Sequence, residues 1–462
     1  MMNGREVIPS HWNYRKISEV TTKVGSGSTP RGGESVYQDL GVPLIRSMNV
    51  HSSGFKSDGL ALIDADEAKK LDHVIVQPSD VLLNITGASI GRVTTAPTAL
   101  AGARVNQHVC IIRPRAELSS SFLSYFLASP REQTRVMNVQ VGATRQALTK
   151  AMILDWDVPV PPFHEQQEIV AEIEKQFSRL DEAVASLKRT KANLKRYKAA
   201  VLKAAVEGKL TEEWRKAHPD VEPASKLLEG ILAERRAKWN GRGKYKEPSA
   251  PEISALSSLP KNWVWATVEQ LSRLVQYGSS AKTHEEAIGV PVLRMGNIED
   301  GRLRFDSLKY LPKKHDEFPD RFLREGDILF NRTNSAELVG KTAVYKGKPS
   351  PCAFASYLIR VRLTEGYAPD LLAYFINSVF GRTWIGQVVS QQVGQANVNG
   401  TKLQALAVPL PPYDEQVQIV AEVEHRLSVI DELEATVEAN LARADRLRQS
   451  ILSQAFSGRL NS

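Results

Sequence analysis

Cysteine is almost absent: Cys110 and Cys352 are the two in 462 residues. Two thiols cannot build a disulfide framework, and neither sits in a CxxC pair, so no structural zinc site can be assembled from cysteine. Long apolar runs are missing as well. No stretch of about 18 uncharged apolar residues offers a membrane-crossing helix. The N-terminal MMNGREVIPSHWNY lacks the apolar core of a signal peptide. There are nine histidines, and none falls at i, i+4 around a glutamate, which excludes an HExxH metal site. The expectation is a soluble, cytoplasmic chain that uses no metal, and His164 and His425 read as surface residues of helices.

Two catalytic signatures are nearly present, and each lacks the residue that matters. Ser335-Ala-Glu-Leu-Val-Gly340-Lys341-Thr342 has serine where a phosphate-cradling loop needs its leading glycine. Pro161-Pro162-Phe163 and Pro411-Pro412-Tyr413 echo the (D/N)PP(Y/F) of amino-methyltransferases, but Val160 and Leu410 replace the side chain that would hydrogen-bond a flipped base. No Gly-rich loop suited to S-adenosylmethionine follows a strand either, since Gly25-Ser-Gly27 lacks the third glycine. An NTPase and a methyltransferase in its own right are both disfavoured.

What is present is ordinary globular composition, 42% hydrophobic and 24% charged, with a formal charge of +8 and a pI near 9.2. That basic excess suits an anionic partner, nucleic acid or an acidic membrane surface, or simply a mildly basic soluble protein.

The dominant feature is a duplication. Val158–Glu174 reads VPVPPFHEQQEIVAEIE, and 250 residues later Val408–Glu424 reads VPLPPYDEQVQIVAEVE, with 11 of 17 positions identical. The offset holds to Gly208-Lys-Leu and Gly458-Arg-Leu, close to the final Ser462. Upstream, Pro9-Ser-His-Trp12 corresponds to Pro260-Lys-Asn-Trp263, VPLIRSMNV to VPVLRMGNI, and FLSYFL to LLAYFI. The offset there drifts between 247 and 251, so loops differ in length.

Each PxPP run gives an extended entry that cannot be helical. A long helix follows, with the acidic Glu165 and Glu168 in its first turns. Apolar residues recur at steps of four and three: Ile173, Phe177, Leu180, Val184, Leu187 and Leu194 in one copy, Val423, Leu427, Ile430, Val437, Leu441 and Ile451 in the other. This is a heptad seam with polar interruptions at Lys191 and Glu434. Gly208 and Gly458 are natural stops. A narrow seam needs a partner, and the two helices suit pairing with each other, although each could instead pack on its own neighbouring domain.

The divergent segments carry short β-rich runs, Asp80–Ile85, Val109–Arg113, Asp327–Phe330 and Tyr357–Arg362, among Gly- and Ser-rich turns. The division is 1–157, 158–210, a linker 211–259, 260–407 and 408–462. The linker holds an expected amphipathic helix, Ala224 to Trp239. Its nine Lys/Arg against six Asp/Glu over 211–246 fit a solvated helix face as well as a DNA contact.

The duplicated VPxPPxxEQxxIV entry, the A-x-x-G-K/R-L ending, the TEEWR continuation after Leu210 and the P-x-x-W starts resemble the specificity subunits of Type I restriction–modification systems, over essentially the whole chain. The resemblance implies mixed α/β architecture: two α+β target recognition domains separated by two long antiparallel coiled-coil helices, an internal pseudo-twofold duplication. It implies a non-catalytic specificity subunit of a multisubunit restriction endonuclease and adenine-N6 DNA methyltransferase. Each domain would read one half of a bipartite, asymmetric target in double-stranded DNA. Two modification (methyltransferase) subunits would dock on the helices, and two restriction (translocase/nuclease) subunits would join them. S-adenosylmethionine, ATP and Mg would be used by those partners, with no cofactor in this chain. One departure is that only the first helix carries the TEEWR extension, while some members have one after both.

Such a protein needs phosphate contacts for affinity and base-edge contacts for identity, and Arg, Lys, Asn and Gln supply both. Candidates in turn-rich positions are Arg46, Asn49, Asn84, Thr86, Arg92, Arg104, Asn106, Gln107, Thr144, Arg145 and Gln146 in the first repeat. In the second they are Arg294, Asn297, Asn331, Arg332, Asn334, Lys341, Gln392, Gln395 and Asn397. Taken singly, each is more often a turn former or a surface charge than a DNA contact. Pairs that match across the repeats, such as Arg46/Arg294 and Asn84/Asn331, fit shared scaffold, because readers of different half-sites should differ.

Overall fold

The duplication in the sequence is a duplication in the fold. A computed structural model of the chain describes residues 8–138, 147–239, 243–335, 338–392 and 395–459. The β-rich runs become strands, as their β-branched composition dictates. In the first repeat Thr21–Ser26, Val109–Pro114, Val81–Asn84 and Val93–Thr95 form an antiparallel four-stranded sheet in that spatial order. In the second, Ser272–Tyr277, Leu358–Leu363, Ile328–Asn331 and Thr342–Val344 repeat the same order.

The smaller sheets correspond too. Val42–Ile45 pairs antiparallel with Ala61–Ile63 and parallel with Arg104–Val105. Val290–Leu293 does the same with Lys309–Leu311 and Ala353–Phe354. A matched ion pair is buried in each repeat. Arg113 grips Asp80 through Nε at 2.7 Å and Nη2 at 2.8 Å, and Arg362 grips Asp327 at 2.6 Å through both. Both carboxylates are buried, so the bidentate geometry is what makes their desolvation tolerable.

The two long helices run Phe163–Val206 and Tyr413–Phe456, 44 residues each. The chain divides into one unit that holds residues up to Arg189 and from Val437 onward, and another that spans Thr190–Thr436. Each unit therefore contains the end of one long helix and the beginning of the other.

In the first unit Ile173 and Phe177 share a core with Ile451, Leu452, Ala455 and Phe456. The Arg448 guanidinium lies 4.2 Å from the Phe177 ring centroid and pairs with Asp181. Phe456 packs edge-on against Phe122 and Phe126, with centroids 5.2 and 5.5 Å apart, contacts worth about 0.5–1.5 kcal/mol each beyond their area.

In the second unit, contacts step from Lys198–Asp431 (3.7 Å) to Thr211–Glu415 (2.6 Å). One number rises while the other falls, so the helices run antiparallel there. Along the seam Ile173, Phe177, Leu194, Val423, Ile430, Val437 and Ile451 are buried. Leu180, Val184, Leu187, Leu427 and Leu441 are half-buried, and Lys191 stands exposed.

Three sequence motifs meet at one junction in each unit. The P-x-x-W tryptophan donates its indole N–H to the glutamate of the PPxxEQ entry: Trp12 to Glu165 at 3.0 Å, Trp263 to Glu415 at 2.7 Å. The adjacent glutamine is fully buried and ties the helix to the globular unit. Gln166 donates to the carbonyls of Glu117 and Pro161 and accepts from the Ser119 N–H, all at 2.8–2.9 Å. Gln416 makes the same contacts with Gly366, Pro411 and Ala368 at 2.8–3.0 Å.

The glycine that ends each helix completes the junction. Gly208 and Gly458 have φ of +69° and +72°. A Cβ on Gly208 would meet Pro260 at 2.8 Å, and one on Gly458 would meet Pro9 at 2.5 Å. Glycine is required there both for the left-handed turn and for room.

The 211–259 segment is less of a linker than its composition suggests. Its helix runs Ala224–Ala237, and Ala224 and Ile231 are buried in the second unit. Leu227 and Ile231 pack over Gly366. Further on, Thr267 donates to the Ser249 carbonyl and Trp265 to that of Ser257. Ala224, Leu227, Leu228, Ile231 and Leu232 are buried or half-buried, while Lys226, Glu229 and Arg236 stand exposed. Among the described residues, no helix is long and apolar enough to cross a membrane.

Candidate nucleic-acid interface

In both four-stranded sheets the same two neighbouring strands end at one edge, and their flanking residues form a small surface of turns. The backbone frame of this edge is common to both repeats. Ile85 N–H donates to the His108 carbonyl at 3.0 Å, and its own carbonyl accepts from Leu148 at 2.9 Å. In the second repeat Arg332 N–H donates to the Tyr357 carbonyl at 3.0 Å, and its carbonyl accepts from Val398 at 2.9 Å.

The predicted residues separate into those that build this frame and those that project from it. Asn49 is 0% exposed: its Oδ1 accepts from Arg46 N–H, and its Nδ2 donates to the carbonyls of Lys56 and Asp58. Asn297 repeats this with Arg294, Arg304 and Asp306. Arg46 donates to the Gly59 carbonyl at 2.6 Å and Arg294 to that of Ser307 at 3.1 Å. Asn84 and Asn331 are likewise buried and donate to the carbonyls of Ser47 and Leu338. Arg104 spends its guanidinium on the Ala68 and Gly102 carbonyls and on Asp72. The buried Asn106 caps the His108 N–H. The buried asparagines would have to break a buried hydrogen bond to reach a base, at about 1–3 kcal/mol per group.

Outward-facing residues are fewer. In the first repeat Arg92 and Gln107 are exposed, and half-buried Thr86 shares a hydrogen bond with His108 Nδ1. In the second, Arg332, Lys341 and Asn397 are half-buried. A three-stranded sheet of Thr333–Asn334, Gln395–Asn397 and Ser390–Gln392 brings four candidates together. Asn334 is opposite Ala396, Gln392 opposite Gln395, and Asn397 lies between Thr333 and Ser390. Thr144, Arg145 and Gln146 lie outside the described residues.

Sequence reasoning missed three side chains at this edge: His108, Tyr277 and Tyr357. Tyr277 and Tyr357 are 40% and 49% exposed. Their signal was available, since His108 and Tyr357 immediately precede the matching strands Val109–Pro114 and Leu358–Leu363. It also missed the junction residues Trp12, Gln166, Trp263 and Gln416, although their motifs recur, and Thr211 and Arg215 of the single TEEWR segment.

The family model for the Type I restriction modification DNA specificity domain matches twice, at residues 9–196 and 260–443. The chain is 27% identical to the Type I restriction enzyme EcoKI specificity subunit of Escherichia coli (strain K12), over 98% of this chain and 90% of that protein. It is 26% identical to the StySPI specificity subunit of Salmonella potsdam, over 99% and 91%. Among solved structures, a chain from a study of complex assembly and conformational transition of the type I R-M system superposes with a TM-score of 0.67 at 19% identity, covering 99% of this chain and 100% of that one. The HsdS subunit of Thermoanaerobacter tengcongensis gives 0.52 at 19% identity, covering 100% of both.

Proposed function

The chain belongs to the family of Type I restriction–modification DNA specificity subunits, and from that premise we propose that its two strand-edge surfaces are the reading heads for the two halves of a split, asymmetric duplex target. The observation that carries this is the combination of one backbone frame used twice with different side chains projecting from it. Phosphates are alike everywhere, so phosphate anchors in the two repeats can match; base readers for unlike half-sites cannot. Arg92, Gln107 and Thr86 serve the first head, and Arg332, Lys341 and the Asn334–Asn397 sheet serve the second. The buried Asn49, Asn84, Asn297 and Asn331 and the half-buried Arg46 and Arg294 hold the loops that present them.

The long helices fix the spacing between half-sites and provide the docking surface for two modification subunits, with two restriction subunits joining the assembly in the cytoplasm. Adenine methylation with S-adenosylmethionine and cleavage with ATP and Mg belong to those partners, and this chain does no catalysis. The test is methylome sequencing of a host that expresses this chain with its modification subunit. One gapped, asymmetric sequence is expected. A continuous or perfectly palindromic target refutes the reading.

A further inference from the structure

We propose that Arg332 reads a guanine in the half-site taken by the second unit, with Tyr277 as the platform that holds its guanidinium; this rests on the reading above. The duplication supplies the comparison. Arg332 occupies the same backbone node as Ile85, pinned by the same two hydrogen bonds on the same edge. The neighbouring positions change with it. Tyr277 stands where the first repeat has Ser26, since Ser26 pairs with Cys110 and Tyr277 with Ile359, the second residue of each matching strand. Tyr357 stands where the first repeat has His108.

A frame so closely kept, with an apolar Ile85 exchanged for a cation, points to a role that differs between the two heads. A phosphate anchor has no reason to differ; a base reader does.

The side chain is organised for such a contact. The Arg332 guanidinium lies over the Tyr277 ring, 4.9 Å from its centroid, a cation–π contact that restrains the side chain. Tyr277 is itself held, because its hydroxyl accepts the Gly400 N–H at 2.8 Å. Of the five guanidinium donors, Nη1 gives one to the Ser356 carbonyl at 3.3 Å, and among the described residues no carboxylate pairs with the group. A planar fork with donors to spare, half-buried against the exposed Tyr277 ring, matches the O6 and N7 acceptors of guanine in the major groove. That is the commonest specific arginine contact.

The test compares wild-type, R332Q, R332K and Y277A chains, each expressed with its partner subunits. Methylomes are read alongside binding of the purified complexes to a randomised duplex library across a salt series. The expectation for R332Q is that one guanine of the second half-site becomes degenerate, its preference falling roughly 5- to 150-fold, while the first half-site is unchanged. R332K keeps charge and stem but cannot make the two-pronged contact, so it should relax the same position. It also decides the matter if R332Q fails to assemble. Y277A should relax that position less.

An unchanged target in R332Q and R332K overturns the proposal. So does a uniform loss of affinity for all sequences with a shallower salt slope, which would make Arg332 a phosphate anchor. If both half-sites change together, the separable-head reading has failed instead. If the wild-type complex has no gapped target, that reading has failed whatever Arg332 does.

Discussion

Removing the Glu415 carboxylate should unfold the second unit far more readily than the same change at Glu165 unfolds the first. The two residues occupy equivalent places, yet their surroundings differ. Glu415 is 0% exposed and serves three donors: Trp263 Nε1 at 2.7 Å, Thr211 Oγ1 at 2.6 Å, and the Arg215 guanidinium. The Glu165 side chain is 23% exposed and serves Trp12 at 3.0 Å and an exposed His11 at 3.0 Å. Glu415→Ala strands a half-buried cation together with two buried donors, and breaking a buried pair from one side costs about 3–5 kcal/mol. Glu165→Ala strands one buried donor, Trp12 Nε1, and frees an exposed His11, with no buried cation left behind, at about 1–1.5 kcal/mol. With an m-value of about 2.5 kcal/mol/M, the urea midpoint should fall by about 1.6 M in the first case and about 0.5 M in the second. Tryptophan fluorescence and circular dichroism would follow it. Glu415→Gln combined with Arg215→Met removes both charges and should cost less than Glu415→Ala alone. Equal midpoints for the two alanine variants would refute the reasoning, as would a double variant worse than the single one.

Exchanging residues 1–157 for the same region of a relative should change one half-site and leave the other, as methylome sequencing would show; simultaneous change in both would contradict separable heads. Inserting four residues between Leu194 and Val201, with a matched insertion between Ile430 and Val437, adds about 6 Å of helix. It should widen the unread gap by one or two base pairs without altering either half-site, and an active variant with the original gap would refute the proposal that the helices set the spacing. Burial pushes the Cys110 and Cys352 thiols up to about 12. Because the thiolate is the reactive form, neither should take up N-ethylmaleimide at pH 8 in the folded chain, and both should do so in denaturant; intact mass decides, and fast labelling of the native chain would contradict it.

Much of the architecture is legible in the sequence because its causes are local. The heptad spacing from Ile173 to Leu194 fixes a helix face, the prolines fix where the helix can start, and Gly208 and Gly458 fix where it stops. The β-rich runs mark strands to within a residue or two. Strand order is not legible, because the parallel pairing of Leu44–Ile45 with Arg104–Val105 joins segments some sixty residues apart that carry no periodic mark of each other. The junction was half legible: Trp12 and Glu165 stand out as recurring letters, but nothing in either segment says that one donates to the other across 153 positions. Residue type was least informative at the reading edge. Asn49 and Gln107 are equally suitable amides on paper, and burial alone separates the loop-former from the exposed side chain.

That separation has a consequence for how specificity can change. Asn49 and Asn297 are buried and their side chains are satisfied by backbone groups, so substituting either would cost stability before it altered what is read. At the node shared by Ile85 and Arg332, the backbone hydrogen bonds hold whichever side chain is present. One of these side chains packs in an apolar core and the other stacks on a tyrosine, yet the sheet order and the hydrogen-bond frame are the same. A chain built this way can exchange a reader at such a node while the junction residues Trp263, Glu415 and Gln416 keep the head fixed to its helix. Variation confined to a few projecting positions would then move the target sequence, and the helix length, which no projecting residue touches, would keep the distance between the halves.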